Sequence, residues 1–158
     1  MNKDSHAKDR EVLSEGQKPF AIVLCCADSR VAPEIYFDQK LGDIFVIRNA
    51  GNVVDPIVLG SIEYGAEHLG SPLIVVVGHS CCGAVTAACG GDELPENIQC
   101  IADVIKPSIK EGDTIDTVVR SHAVEMANQV KNDSIIQHIG TKVVPAYYDI
   151  KSGEVIWL

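Results

Sequence analysis

The residues Phe20-Ala21-Ile22-Val23-Leu24-Cys25 form an unbroken apolar run that leads directly into Cys26-Ala27-Asp28-Ser29-Arg30. Such a run reads as a parallel strand buried on both faces, because the apolar/polar alternation disappears when neither face meets water. A second run, Leu73-Ile74-Val75-Val76-Val77, closes in the same way on Gly78-His79-Ser80-Cys81-Cys82-Gly83-Ala84. Functional groups in an open parallel sheet collect beyond the carboxyl ends of its strands. Cys26, Asp28, Arg30, His79 and Cys82 are therefore candidates to converge in one crevice. Two thiols and one imidazole make a three-ligand zinc set with one position open, as expected of a catalytic zinc.

The spacings support this. Cys26 and Asp28 are two apart, so an extended backbone points them the same way. His79 and Cys82 straddle a strand-to-helix turn, where side chains three apart can converge. At a helix N-terminus Cys82 would be favoured as thiolate, the form in which sulfur ligates zinc. An ionised Asp28 can only accept hydrogen bonds, and the forked donors of Arg30 suit its carboxylate. Two other readings compete: buried core cysteines beside a turn histidine, and a closed structural zinc with Asp28 as fourth ligand. Cys25, Cys81, Cys89 and Cys100 read as core residues, and His6, His68, His122 and His138 as surface or helix-face histidines.

The 158 residues suffice for one domain with a real core. The formal charge of −9, from 13 basic against 22 acidic residues, argues against nucleic-acid or anionic-membrane partners. The apolar runs are too short to span a bilayer. Met1-Asn2-Lys3-Asp4-Ser5-His6 leads into polar sequence with no apolar signal region, which sets the expectation of a cytoplasmic protein with reduced cysteines.

Along the chain, residues 1–16 form a short N-terminal helical segment, with the helix itself expected over 7–16. Ile44-Phe45-Val46-Ile47-Arg48 is a second short strand. Asp55-Pro56 opens a helix, with aspartate as cap and proline at the first helical position. Ile57, Val58, Ile62, Ala66 and Leu69 form its apolar face. Residues 82–89 predict a helix of small side chains, and 96–109 a weakly patterned one interrupted by Pro107. Asp113 is expected to cap a helix with Ile115, Val118, Val119, His122, Met126 and Val130 on one face. Ser134 to Ile139 is a further short helix. Lys142–Ile150 is strand-like, with Pro145 placing it near an edge or bulge, and Glu154-Val155-Ile156-Trp157 is the last strand. The expected fold is a single α/β domain over 1–158: a mainly parallel central sheet flanked by helices, with a C-terminal antiparallel hairpin.

Cys-x-Asp-Ser-Arg at 26–30 followed by His-x-x-Cys-Gly at 79–83 resembles the β-class carbonic anhydrases. The resemblance extends through Phe37-Asp38-Gln39, the stretch from Gly42 to Asn52, Gly60-Ser61-Ile62-Glu63-Tyr64, Ala146-Tyr147-Tyr148-Asp149-Ile150 and Gly153-Glu154-Val155. It implies Cys26, His79 and Cys82 as ligands of one zinc ion per chain, and Asp28 and Arg30 as the catalytic pair. It implies Gln17 as a residue that hydrogen-bonds substrate and Gly83 as a backbone amide near the site. Phe45, Ala50 and Tyr64 fall where members place the hydrophobic substrate wall, often completed across a dimer. Members usually carry a longer helical arm before the position of Asp4. The implied activity is reversible hydration of carbon dioxide to bicarbonate and a proton by attack of zinc-bound hydroxide, in a homodimer or tetramer. Two alternatives stand beside it: hydrolysis of an analogue such as carbonyl sulfide or carbon disulfide on the same scaffold, and a non-catalytic zinc or thiol module.

Overall fold

The computed structural model describes residues 6–158, so the first five residues of the expected N-terminal segment lie outside the described residues. Strands β1 (Ala21–Cys26), β2 (Ile44–Asn49), β3 (Leu73–His79), β4 (Lys142–Tyr148) and β5 (Val155–Trp157) form one sheet in the order β2-β1-β3-β4-β5. β1 runs parallel to β2 and β3, β4 runs parallel to β3, and β5 closes an antiparallel hairpin on β4. The expected α/β fold, with its parallel sheet and terminal hairpin, is what the chain adopts. From β1 the chain steps outward to β2, then returns to the other side of β1 as β3. The strand order therefore reverses between β1 and β3, and a crevice opens past their carboxyl ends.

Every residue of β1 is buried, as is all of β3 after Leu73. This is why both sequences lack alternation. On one face Ile22, Leu24, Ile74 and Val76 pack against α3 (Pro56–Glu67), α6 (Ile115–Lys131) and α7 (Ser134–Ile139), through Val58, Ile62, Ala66, Met126, Val130 and Ile136. On the other, Val23, Cys25, Val75, Val77 and Ala146 meet Tyr36 and Phe37, at the end of the one-turn helix α2 (Pro33–Tyr36), together with Tyr148. Phe20 and Trp157 border this face and stay 49% and 58% exposed. The remaining helices are α1 (Ala7–Leu13), which buries none of its residues, α4 (Gly83–Gly90) and α5 (Glu96–Ile105), and Pro107 falls in a single 3-10 turn at the end of α5.

Asp55 caps α3 as expected, its Oδ1 accepting from the amides of Ile57 and Val58. Ile57 itself is 81% exposed. The apolar line runs through Val58, Ile62 and Ala66, and one residue turns a helix by about 100°, which carries Ile57 off that line. The cap of α6 is Thr114, whose hydroxyl accepts from the Thr117 amide. Asp113 is spent one residue earlier, on the amide of Lys110. Pro145 lies in β4, second from the sheet edge, but β5 pairs only with Ala146–Tyr148, so the proline stands beyond the end of that ladder.

Gly78 fixes how closely α6 approaches the sheet. A Cβ built there would lie 2.8 Å from Val119 Cγ1 and 3.0 Å from the Val119 carbonyl oxygen. The carbonyl belongs to a helix backbone and cannot rotate aside. Gly78→Ala is therefore expected to destabilise the protein by about 1–3 kcal/mol in denaturant unfolding; unchanged stability would show that α6 is free to shift.

Candidate metal centre

Cys26 is the last residue of β1 and His79 the last of β3, on neighbouring strands at the point where the order reverses. Cys82 arrives from a tight turn. Cys81 adopts φ +56°, and this left-handed residue lets Cys82 turn inward as the cap residue of α4. The ligand atoms of Cys26, His79 and Cys82 all lie within 4.8 Å of one another, and all three residues are buried. Among the described residues this is the one cluster of its kind, and Asp28 is not part of it.

The three donors fit a zinc ion. His79 Nδ1 lies 2.9 Å from the Ser80 carbonyl oxygen. A carbonyl can only accept, so Nδ1 carries the proton and Nε2 presents its lone pair, with the ring orientation fixed as in metal-ligating histidines. Nε2 is buried and has no hydrogen-bond partner. The neighbouring Cys82 sulfur, with the Gly51 amide, holds the Cys26 thiol well below its usual range against the opposing effect of burial. The Cys26 sulfur, with burial, pushes Cys82 up, although the amides of Val85 and Ala84 favour its thiolate. Without a cation, two adjacent buried sulfurs cannot both be thiolate; a divalent ion beside them removes that penalty.

Asp28 stands two residues beyond Cys26 and is turned toward Arg30. Its Oδ1 accepts from the Arg30 backbone amide and from Nε, both at 2.9 Å, and its Oδ2 accepts from Nη2 at 2.6 Å. This bidentate grip holds the carboxyl well below the usual carboxylate range. The same Arg30 Nη2 reaches the Cys81 carbonyl at 3.2 Å, stapling the turn after β1 to the turn after β3.

The predicted substrate residues divide into two groups. Ala50 and Gly83 line an apolar cleft of about 250 Å³ with Ala84, Ala87, Leu94 and Ile98. It adjoins the centre, since Gly83 follows Cys82 and Ala50 precedes Gly51, whose amide meets the Cys26 sulfur. A Cβ on Gly83 would meet nothing within 4 Å, so glycine here keeps space open. Gln17 is exposed near Leu41 and Ile44, at the amino end of the sheet. The length of β1, about 17 Å at strand rise, separates it from Cys26. Phe45 lies opposite Ile22 in the register, four steps before the Cys26–Asn49 pair, and its ring is 6.2 Å from that of Tyr64. The chain therefore does not bring Gln17, Phe45 or Tyr64 to the Cys26/His79/Cys82 cluster.

Cys25 is buried as expected, and burial pushes its thiol up to about 11. Cys81 and Cys100, expected in the core, are exposed. For Cys81 the reason is the turn: the backbone conformation that turns Cys82 inward leaves its neighbour outside. Sequence reasoning missed Arg48. Its Nε donates to the Cys26 carbonyl at 3.0 Å and its Nη2 to the Asp28 carbonyl at 2.7 Å, holding the turn that carries both residues. The available signal was an arginine at the end of an otherwise apolar strand.

With this geometry in place, the comparisons with known proteins agree. A family model described as carbonic anhydrase matches residues 21–155. Carbonic anhydrase 2 of Mycobacterium tuberculosis is 63% identical over 79 residues, which are 50% of this chain and 38% of that protein. A carbonic anhydrase of Mycolicibacterium smegmatis is 42% identical over 160 residues, covering 92% of this chain and 78% of the relative. Among solved structures, tetrameric β-carbonic anhydrases from Sordaria macrospora superpose with a TM-score of 0.84 at 25% identity, over 99% of this chain and 87% of theirs. The fold and the Cys/His/Cys centre define an α/β protein able to hold a metal at a sheet switch point. The chain belongs to the β-class carbonic anhydrase family.

Proposed function

We propose that this chain catalyses the reversible hydration of carbon dioxide to bicarbonate and a proton, with one zinc ion held by Cys26, His79 and Cys82. The observation that carries the reading is the convergence of these three ligand atoms while Asp28 is held outside the set by Arg30. Zinc in such a site supplies Lewis acidity and makes water nucleophilic near neutral pH. Asp28, ionised and able only to accept, takes a hydrogen bond from the attacking oxygen and aims its lone pair at carbon. Arg30 keeps the carboxylate in that orientation. The small-residue cleft at Ala50 and Gly83 suits a substrate with few polar contacts, and the Gly83 amide lies beside it.

The active unit in this reading is a homodimer or a tetramer. Gln17, Phe45 and Tyr64, remote from the centre of their own protomer, would serve the centre of a second copy. The thinly covered sheet face bordered by Phe20 and Trp157 offers apolar surface for association. The reading places the protein in the cytoplasm, where thiol ligands stay reduced. All six cysteines are free and no described helix is long and apolar enough to cross a membrane.

Metal analysis is expected to find about one zinc per chain. Cys26→Ala and Cys82→Ala should lose it, whereas Cys25→Ala and Cys81→Ala should keep it. Full metal content in Cys82→Ala would sink the ligand assignment.

Stopped-flow hydration of carbon dioxide by metal-quantified protein, with carbonyl sulfide as parallel substrate, tests the reaction. Turnover of carbon dioxide should dominate, and Arg30→Ala should retain zinc while losing about 10²- to 10³-fold in rate, as when a preorganised polar partner is removed. Preference for carbonyl sulfide would move the assignment to the analogue hydrolases, and a parent-like rate in Arg30→Ala would remove the pair from the mechanism.

Light scattering at micromolar concentration should report a dimer or larger assembly. A fully active monomer would refute the sharing of wall residues.

A further inference from the structure

Helix α6 carries His122 on its buried face, 1% exposed. Its Nε2 lies 2.9 Å from the carbonyl oxygen of Gly51, which can only accept, so the ring proton sits on Nε2. Burial pushes the imidazole's pKa down, keeping the ring neutral. The other nitrogen, Nδ1, is then a bare acceptor, buried and without a partner. An unmet buried acceptor costs about 1–3 kcal/mol. A leucine at this position would pack against the same neighbours without that cost. What singles out histidine here is the donor on Nε2.

Gly51 is the residue that meets the metal centre. It adopts φ +75°, and its amide donates to Cys26 Sγ at 3.4 Å. The ends of its loop are already tied: Asn49 Nδ2 donates to the Val53 carbonyl at 2.8 Å, and the Val53 amide donates to Asn49 Oδ1 at 2.9 Å. The freedom left inside this clasp is rotation of the peptides around Gly51. A glycine in the left-handed region has wide rotational freedom. The bond from His122 to its carbonyl removes it.

We propose that His122 is a positioning residue for the metal centre: by donating from Nε2 to the Gly51 carbonyl, it holds the Gly51 amide on the Cys26 sulfur. This rests on the reading of Cys26 as a metal ligand. An N–H donor on a thiolate draws charge from sulfur, so the strength with which Cys26 donates to a metal is set in part from α6. His122 touches neither substrate nor ligand; it acts through one glycine.

The test uses the full chain loaded with zinc, cobalt(II) or cadmium-113. In His122→Leu the Gly51 amide is released. Zinc affinity by chelator competition should fall about 10- to 100-fold, the range for loss of an outer-shell partner. The thiolate-to-cobalt absorption should shift to longer wavelength as the sulfur lone pairs rise in energy. His122→Gln, which keeps a donor at similar reach, should restore most of the affinity and return the band toward the parent position. A folded His122→Leu with parent affinity and parent band would overturn the proposal. A measurement on the parent does not depend on any variant folding: with cadmium-113 bound, the Gly51 amide proton should show scalar coupling to the metal through sulfur, and His122 the nitrogen shifts of the Nε2–H tautomer. Absent coupling or an Nδ1–H tautomer would refute it. Metal retained in Cys26→Ala would instead overturn the ligand reading. Metal lost there, with His122→Leu unchanged, confines the failure to His122.

Discussion

Two sulfurs and an imidazole nitrogen buried within 4.8 Å of one another are the constraint around which the protein is arranged. Cys26 and Cys82 lie 56 residues apart in sequence. They meet because β1 and β3 are adjacent parallel strands and because Cys81 takes a left-handed turn. Burying two thiols side by side is a poor choice for stability alone, since ionising either one charges an interior. The arrangement becomes sensible when a cation supplies the opposite charge, and the bare Nε2 of His79 beside them points the same way. The sheet, its reversal of strand order and the tight turn after β3 serve to deliver three donors to one place.

Around the donors lies a layer of groups whose job is orientation. Arg48 holds the backbone of the turn after β1, Ser80 sets the tautomer of His79, and Arg30 holds Asp28 while tying the two turns together. Arg48 and Arg30 do so as charged donors, and Ser80 as a backbone acceptor. Such outer contacts are part of a metal site as much as its ligands are.

Much of this was legible in the sequence. Two apolar runs without alternation announced buried parallel strands, and cysteine and histidine just past their ends announced where the chemistry would gather. Asp55-Pro56 marked a helix start to the residue. Local signals failed where tertiary context decides. Ile57 is apolar yet exposed, because helix phase outranks composition. Asp113 looked like a cap, but Thr114 stands one residue closer to the first helical turn. The exposure of Cys81 follows from a backbone dihedral that no neighbouring glycine advertised. Gln17, Phe45 and Tyr64 were expected at the centre from the family resemblance, but Gln17 lies at the amino end of the sheet and Phe45 four register steps before the Cys26 pair, a placement that the linear spacing did not reveal. The His122–Gly51 contact spans 71 residues. Periodicity could place that histidine on the buried face of α6 but could not name what its ring would meet.

Helix α6 has a further consequence as a mechanical part. Over its 17 residues, about 25 Å at helical rise, it rests on Gly78 through Val119, stacks Arg120 over the Tyr147 ring at 3.6 Å, and reaches Gly51 through His122. A stiff rod supported at these points behaves as a lever. Widening the gap at Gly78 by the width of a methyl group swings His122, one turn further on, relative to a loop that is clasped in place. Substitutions along α6 should therefore not combine as independent losses of stability. Those near Gly78 and those near Gly51 share one rigid body, and their effects are coupled through its tilt.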